Sequence, residues 1–346
     1  MRTTAALLVE TGKPLVLASI ETPALKVGQV LVEIAYSGAC GTQVLEARGA
    51  KGEDKWVPHC MGHEASGTVL EIGPGVTRVK VGDRVALSWI KAGGIEAGGS
   101  VYDWEGRKVN AGAVTTFQRH TVASENRLTV LPPEMDMRLA ILLGCALPTG
   151  MGAIFNVTKP MPGDSVAVFG AGGIGLAAIL AASVSGCTPI LAIDPVAMKR
   201  EMALAHGATH AIDPTAGDPV AAIRKIVPGG VDAAVEATGL PPVMDQALQS
   251  VRQQGGRAVV VGNAHHGQDI TLSPGLFNQG KSLLGTWGGD SVPDRDYGRY
   301  MRLMTSGRIN VTGLLSAPYR LEDINQVLDD LAGGRIGRPL IDMNLR

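Results

Sequence analysis

Residues 165–194 read SVAVFGAGGIGLAAILAASVSGCTPILAID. Val166 to Phe169 form a short apolar run of strand type. Gly170, Gly172 and Gly175 follow in a G-x-G-x-x-G frame, and an apolar stretch long enough for a helix comes next. A lone frame of this kind says little. Set between a strand and a helix, with a second apolar run ending in an acid, it carries a mechanism. The glycines permit a tight turn and close approach of the backbone to a pyrophosphate, and the helix N-terminus supplies N–H groups and positive dipole. Asp194 falls 24 positions after Gly170, near the spacing at which a carboxylate meets adenosine ribose hydroxyls. A 2′-phosphate would be repelled there, which favours NAD over NADP.

The rhythm continues downstream. PILAID, HAID, VDAAVEATG, RAVVVG and SLLGTW are strand candidates with helical patterns between most of them, such as PVAMKREMALAHG. Pro195 suits a first helical turn there. Strands alternating with helices imply βαβ units and a doubly wound parallel sheet of Rossmann type, placed at residues 150–287. Upstream, QVLVEIAY, ASGTVLEI and DRVALSW are strand-like runs separated by turns, so residues 1–149 read as β-rich. Residues 288–346 carry a helical RDYGRYMRLMTSGR and further elements, and are expected to rejoin the first domain. Residues 92–113, AGGIEAGGSVYDWEGRKVNAGA, read as a long polar loop, either solvated or shaping an interface or a substrate entrance.

The 346 residues suffice for two cores, and the formal net charge of −1 speaks against a nucleic-acid or anionic-membrane partner. No apolar run is long enough to span a membrane. The start, MRTTAALLVETGKPLVLASIE, has no charged leader, apolar core and cleavage site, so a cytoplasmic chain is expected. Four cysteines, Cys40, Cys60, Cys145 and Cys187, are too few and too scattered for a disulfide framework. Free or metal-bound thiolates are the better reading.

The segment PHCMGHEASGTVLEIG, residues 58–73, puts His59, Cys60, His63 and Glu64 together. A catalytic zinc takes three protein ligands and keeps one position open. Cys40 in SGACGTQ and Cys145 in LLGCALPTG each end an apolar run, where a side chain can be aimed. Spacing alone leaves a zinc site and a set of unrelated core residues equally open, since no local C-x-x-C pair exists.

GACGT, GHEASG, VKVGDRV, LLGCALPTG, GDSVAVFGAGGIGL, AID and VEATG occur in one order along nearly the whole chain. This set resembles the zinc-dependent medium-chain alcohol dehydrogenases. The resemblance implies a GroES-like β-rich catalytic domain plus a Rossmann domain, an α/β protein overall. It implies that Cys40, His63 and Cys145 hold one catalytic zinc. Glu64 matches the acid beside the ligand histidine, and Thr42 the hydroxyl that takes the alcohol proton. Arg338 matches an arginine near the cofactor pyrophosphate. Thr149, Gly173, Ile174 and Lys199 complete the expected cofactor-binding set. Trp89 and Trp287 match pocket-lining positions, while His59 and Cys60 do not fit the ligand pattern and default to packing.

The implied reaction moves a hydride between an alcohol and NAD, giving an aldehyde or ketone. Low aromatic content and the polar loop leave room for a polar, sugar-derived or biosynthetic hydroxyl. The competing readings are a metal-free quinone or enone reductase of the same superfamily, which lacks the Cys/His/Cys set, and a non-catalytic NAD-sensing protein, which would need neither thiolates nor Thr42. The family usually forms dimers or tetramers through Rossmann strands, which makes GLFNQGKSLLGTW the expected interface of a homodimer or homotetramer.

Three positions depart from the family pattern. Gln43 stands where an aspartate usually orients a ligand histidine. A glutamine oxygen accepts that hydrogen bond without bringing charge, so a more electrophilic zinc and weaker metal retention are expected. Leu45 replaces a histidine of the proton relay, leaving ribose and water, or His265 and His266, as its end. No cysteine occurs between residues 90 and 120, so the structural-zinc lobe of many relatives is expected to be missing.

Overall fold

The computed structural model describes residues 1–345. The chain forms two compact units. The first contains Met1–Cys145, Val292–Thr305 and the C-terminal segment from Leu315; the second contains Ala146–Ser291 and Ser306–Leu314. These crossings differ from the boundaries expected from sequence, 149/150 and 287/288 with 288–346 in one piece. Residues 306–314 go with the second unit because Ile309, Val311 and Leu314 are buried there, at 4 %, 2 % and 1 % exposure.

In the first unit, Arg2–Leu8, Val16–Glu21, Val101–Trp104, Arg107–Asn110 and His59–Cys60 close a small barrel in that order. A seven-stranded sheet is built around Gln29–Gly38, which pairs with Glu64–Ile72, His120–Ser124 and Arg338–Asp342. Alternation on Gln29–Gly38 feeds two cores. Val30, Val32 and Ile34 join one cluster with Ala65, Val85 and Leu128, while Leu31 joins Leu7, Ile20, Tyr102 and Val122.

The segment 92–113 differs from the loop expected. Val101–Trp104 and Arg107–Asn110 form an antiparallel hairpin whose two-residue turn, Glu105–Gly106, has positive φ at both positions. That is the turn whose twist suits a hairpin. Tyr102 and Val109 point into the barrel core at 1 % and 0 % exposure. The flanking glycines concealed this short alternating pair.

The second unit carries a parallel six-stranded sheet in the order His210–Ile212, Ile190–Ile193, Val166–Phe169, Ala233–Glu236, Arg257–Val260, Ser282–Gly285. This is the doubly wound order, reversing at Val166–Phe169. Val166–Phe169, Ile190–Ile193 and Ala233–Glu236 are buried throughout, as parallel strands covered on both faces must be. One local expectation shifts. The helix after Asp194 begins at Ala197 with Val196 as N-cap, so Pro195 lies outside its first turn. No single helix among the described residues is long and apolar enough to cross a membrane.

Candidate metal centre and active site

Three chain reversals in the first unit aim three soft donors at one point. Cys40 follows Gln29–Gly38 as the N-cap of the helix Gly41–Ala47. His63 follows Gly62, whose φ of +87° turns the chain between His59–Cys60 and Glu64–Ile72. Cys145 caps the turn Ile141–Gly144. Their ligating atoms all lie within 4.8 Å of one another, with Cys40 Sγ 3.4 Å from His63 Nε2. Cys40 and Cys145 are 4 % and 5 % exposed and His63 is half-buried; all four cysteines are free.

The electrostatics favour a charged cluster. The Cys145 thiol donates to Cys40 and, with His63 and Arg338 adding to it, holds the Cys40 thiol well below its usual range against burial. Cys145 is pushed up by the same bond and by burial. Burial opposes a charged His63 ring, yet the neighbouring Cys40 thiolate raises its pKa. Two sulfurs and one imidazole nitrogen at this spacing could hold a zinc as three protein ligands, the number that a catalytic zinc takes. The residues present fit that ion.

Glu64, directly after His63, is fully buried and accepts a hydrogen bond from Arg338, itself 4 % exposed. Its second oxygen, Oε1, has no partner among the described residues. Two glycines make the room: a Cβ on Gly144 would stand 2.4 Å from Glu64 Cβ, and one on Gly38 would stand 2.7 Å from Oε1. This is the local reason for SGAC and LLGC. Burial raises the Glu64 pKa, against the pull of Arg338. The structure gives Arg338 a partner beside Cys40, His63 and Cys145, and the cofactor phosphate that the resemblance implies for it is a second partner that this pair does not exclude.

Gln43 is 1 % exposed and sits between Cys40 and His63. Its Oε1 accepts from the Cys40 backbone N–H at 2.8 Å, and its Nε2 faces His63 Nδ1. The glutamine oxygen, expected from sequence to face the histidine, is bound by the Cys40 N–H instead. Trp89 stands edge-on to His63, with ring centroids 6.4 Å apart. Thr42 is half-buried on the first turn of Gly41–Ala47. Trp287, by contrast, is in the second unit and 76 % exposed, and His265 and His266 are also exposed there.

A cavity of about 580 Å³ reaches His63 and Gln43 from the surface of the first unit. Its wall includes Glu46, Asp54, His59, Ser100 and Asn110. His59 is not plain packing. Its Nδ1 lies 2.9 Å from the Cys60 carbonyl, its Nε2 lies 2.8 Å from Asp54 Oδ2, and Glu46 Oε1 is 3.9 Å away. Sequence reasoning missed this cluster. The one signal was a histidine in an apolar run shortly after the charged stretch GEDK. Cys60 does face the core, where burial pushes its thiol far up.

The second unit holds the glycine turn. A Cβ on Gly175 would stand 1.8 Å from the Gly170 carbonyl, so strand end and helix meet only without a side chain there. Gly172 has nothing within 4 Å of a would-be Cβ, leaving open space for a ligand. Gly173 opens the helix Gly173–Val184 and Ile174 follows it. Asp194 accepts from Ala171 N–H at 2.8 Å and from Val196 N–H at 2.9 Å, which places its carboxylate beside the turn. Lys199 is half-buried on the helix Ala197–Ala205. Thr149 neighbours Gly150, whose absent Cβ leaves 2.1 Å to the Ile174 carbonyl. Among the described residues the Thr149 hydroxyl is buried without a partner, as is Glu236 Oε2 at the end of Ala233–Glu236. Orphaned buried polar atoms call for an unseen partner, and these fit a polar cofactor.

Comparison with known proteins identifies the family. The Alcohol dehydrogenase GroES-like domain family matches residues 26–133, and the Zinc-binding dehydrogenase family matches residues 173–306. S-(hydroxymethyl)glutathione dehydrogenase of Synechocystis sp. is 33 % identical over 99 % of this chain and 100 % of its own length. Benzyl alcohol dehydrogenase of Acinetobacter calcoaceticus superposes with a TM-score of 0.90 at 30 % identity, covering 99 % of each chain. 2R,3R-butanediol dehydrogenase of Bacillus subtilis superposes with a TM-score of 0.81 at 27 % identity, covering 99 % of this chain and 100 % of its own. The chain belongs to the zinc-dependent medium-chain alcohol dehydrogenase family.

Proposed function

We propose that this alcohol dehydrogenase transfers a hydride between a small polar alcohol and NAD, with one zinc held by Cys40, His63 and Cys145. The convergence of those three donor atoms within 4.8 Å carries the proposal. When bound, zinc supplies a Lewis acid that lets an alcohol lose its proton near neutral pH, and NAD supplies the hydride acceptor. The chain's own groups do the rest. Thr42 holds the departing proton at its hydroxyl oxygen. Trp89, edge-on to His63, shields the donors from water. Glu64, tied to Arg338, stands just behind His63 and fixes the strand that presents it.

NAD rather than NADP is supported by Asp194, whose charge lies beside the glycine turn. The adjacent Arg200 is not free to meet a 2′-phosphate: it pairs with Asp213 at 2.9 Å and donates to the Asp194 and Pro195 carbonyls. Thr149, Gly170, Gly172, Gly173, Ile174, Gly175 and Lys199 are assigned to the same cofactor. A polar substrate is supported by the polar groups in the wall of the cavity beside His63, among them Glu46, Asp54, Ser100 and Asn110. Ser282–Gly285 is the last strand of its sheet, and the helix just before it in sequence carries Phe277 at 45 % exposure, which supports a homodimer or homotetramer through that edge. The test is a panel of alcohols followed by NADH absorbance, with S-(hydroxymethyl)glutathione, benzyl alcohol and 2,3-butanediol beside glycerol and sugar alcohols. Turnover of polar alcohols with NAD supports the proposal, and turnover restricted to aromatic alcohols or to NADP contradicts it.

A further inference from the structure

The second unit holds a basic cavity that the proposed reaction does not use. It measures about 720 Å³, and its wall carries Arg224, Arg252 and Lys281 together with Gly229 and Gly230. The fold explains how they meet. Arg224 lies in the last turn of the helix Pro219–Ile226, and Gly229 and Gly230 lead from it into Ala233–Glu236. Arg252 stands between the helix Pro241–Ser250 and Arg257–Val260, and Lys281 comes directly before Ser282–Gly285. The cavity therefore lies at the N-terminal ends of three neighbouring parallel strands. The glycine turn follows Val166–Phe169 at the C-terminal end of the same sheet, so the two places are opposite edges.

Lys281 is 5 % exposed and donates only to backbone carbonyls, those of Gln249 at 2.7 Å and Leu248 at 3.5 Å. Arg224 Nη2 donates to the same Gln249 carbonyl at 3.2 Å. Among the described residues Arg252 alone of the three has an ion-pair partner, Asp232 at 2.7 Å. The carbonyl contacts cap the C-terminus of Pro241–Ser250, and a helix end offsets about half a charge. Two helices end here and Asp232 adds one full negative charge, against three cations, so about one positive charge is left over. Burial and the adjacent Arg224 push the Lys281 pKa down, as expected of an ammonium short of negative partners. Donors are left over as well. Arg224 Nε and Nη1 and Arg252 Nη2 bond to no other described residue.

We propose that this cavity binds a phosphate group, as inorganic phosphate or as a phosphate monoester, clamped by Arg224, Arg252 and Lys281. Guanidinium forks match the oxygens of a tetrahedral oxyanion, and a lysine ammonium adds a point charge. Gln253 and Gln279 in the same wall bring amide donors. A phosphate dianion supplies the negative charge that the cavity lacks and takes up the unused guanidinium N–H groups. Its site is separate from the glycine turn and from the metal donors, so the ligand is neither the dinucleotide nor the alcohol.

The experiment is isothermal titration calorimetry with inorganic phosphate and with glycerol 3-phosphate, at ionic strength matched with chloride. The protein is saturated with the dinucleotide it turns over, NAD or NADP, so that the glycine turn is filled. Wild type is compared with Arg224→Gln and Lys281→Met, with thermal melting to establish folding. Arg224 is exposed, so its replacement leaves the core intact. One phosphate per chain is expected to bind wild type, and each variant should weaken it about tenfold or more, the loss expected of one charge-assisted hydrogen bond. The tighter of the two ligands identifies the source of the phosphate group. No binding beyond the chloride control in wild type overturns the proposal, as does full-strength binding in a folded Arg224→Gln protein.

Discussion

Arg338 donates a hydrogen bond to the Glu64 carboxylate with the two side chains at 4 % and 0 % exposure, 274 positions apart in sequence. The last strand of the chain, Arg338–Asp342, therefore completes the surroundings of a residue adjoining His63. A lone buried charge is costly, and a buried pair fails when one partner is removed. Arg338→Met is expected to destabilise the protein by about 3–5 kcal/mol, and adding Glu64→Gln should recover part of that loss. Urea unfolding of the zinc-loaded proteins checks this, and equal losses in single and double variants would refute the coupling.

Gly175 leaves 1.8 Å between a would-be Cβ and the Gly170 carbonyl, so Gly175→Ala must push helix from strand. We expect a cost of about 1–3 kcal/mol and NAD binding weakened at least tenfold, read by fluorescence titration. Gly172→Ala, with open space at that position, should cost far less stability while still hindering the cofactor.

Asp194→Ala removes the charge beside the turn. The kcat/KM ratio of NAD over NADP should fall by about tenfold or more, equivalent to about 1.4 kcal/mol of discrimination. An unchanged ratio would remove Asp194 from coenzyme selection.

Glu125 anchors the start of the glycine-rich segment. Its carboxylate accepts from Ile95 N–H at 2.6 Å, Thr77 N–H at 3.0 Å and Arg78 N–H at 3.3 Å, and it is 1 % exposed. Burial works against the charge, but these backbone donors outweigh it and hold the carboxyl below its usual range. A carboxyl with a depressed folded pKa contributes stability above its unfolded pKa of about 4.3. That contribution is lost as pH falls toward the folded value. Glu125→Gln should cost about 2 kcal/mol at neutral pH and flatten the acid limb of stability, measured by urea unfolding from pH 7 down to pH 3. A mutant limb parallel to wild type would contradict the assignment.

The second unit was legible because its signals are local. The glycine frame, the strand before it and Asp194 lie within one short stretch, and each residue type states its own constraint. The metal donors were only half legible. Cys40, His63 and Cys145 come from three separate turns, and spacing could not say that they meet; the resemblance did. The hairpin Val101–Asn110 was lost among glycines, because Tyr102 and Val109 are only two inward positions against many flexible ones. The Gln43 amide could not be oriented from sequence, since its direction depends on the Cys40 N–H that folding brings to it. The contact of His59 with Asp54 and Glu46 likewise exists only once the helix Gly41–Ala47 and the coil after it have packed against the barrel strand.

The central claim is the zinc at Cys40, His63 and Cys145, and X-ray absorption at the zinc edge of the purified, active protein tests it most directly. The account predicts one zinc per chain with two sulfur neighbours at about 2.3 Å and nitrogen or oxygen neighbours at about 2.0–2.1 Å. Cys145→Ser should lower the sulfur count to one and take activity with it. Full alcohol dehydrogenase activity in zinc-free protein, or a zinc with no sulfur neighbour, would contradict the account.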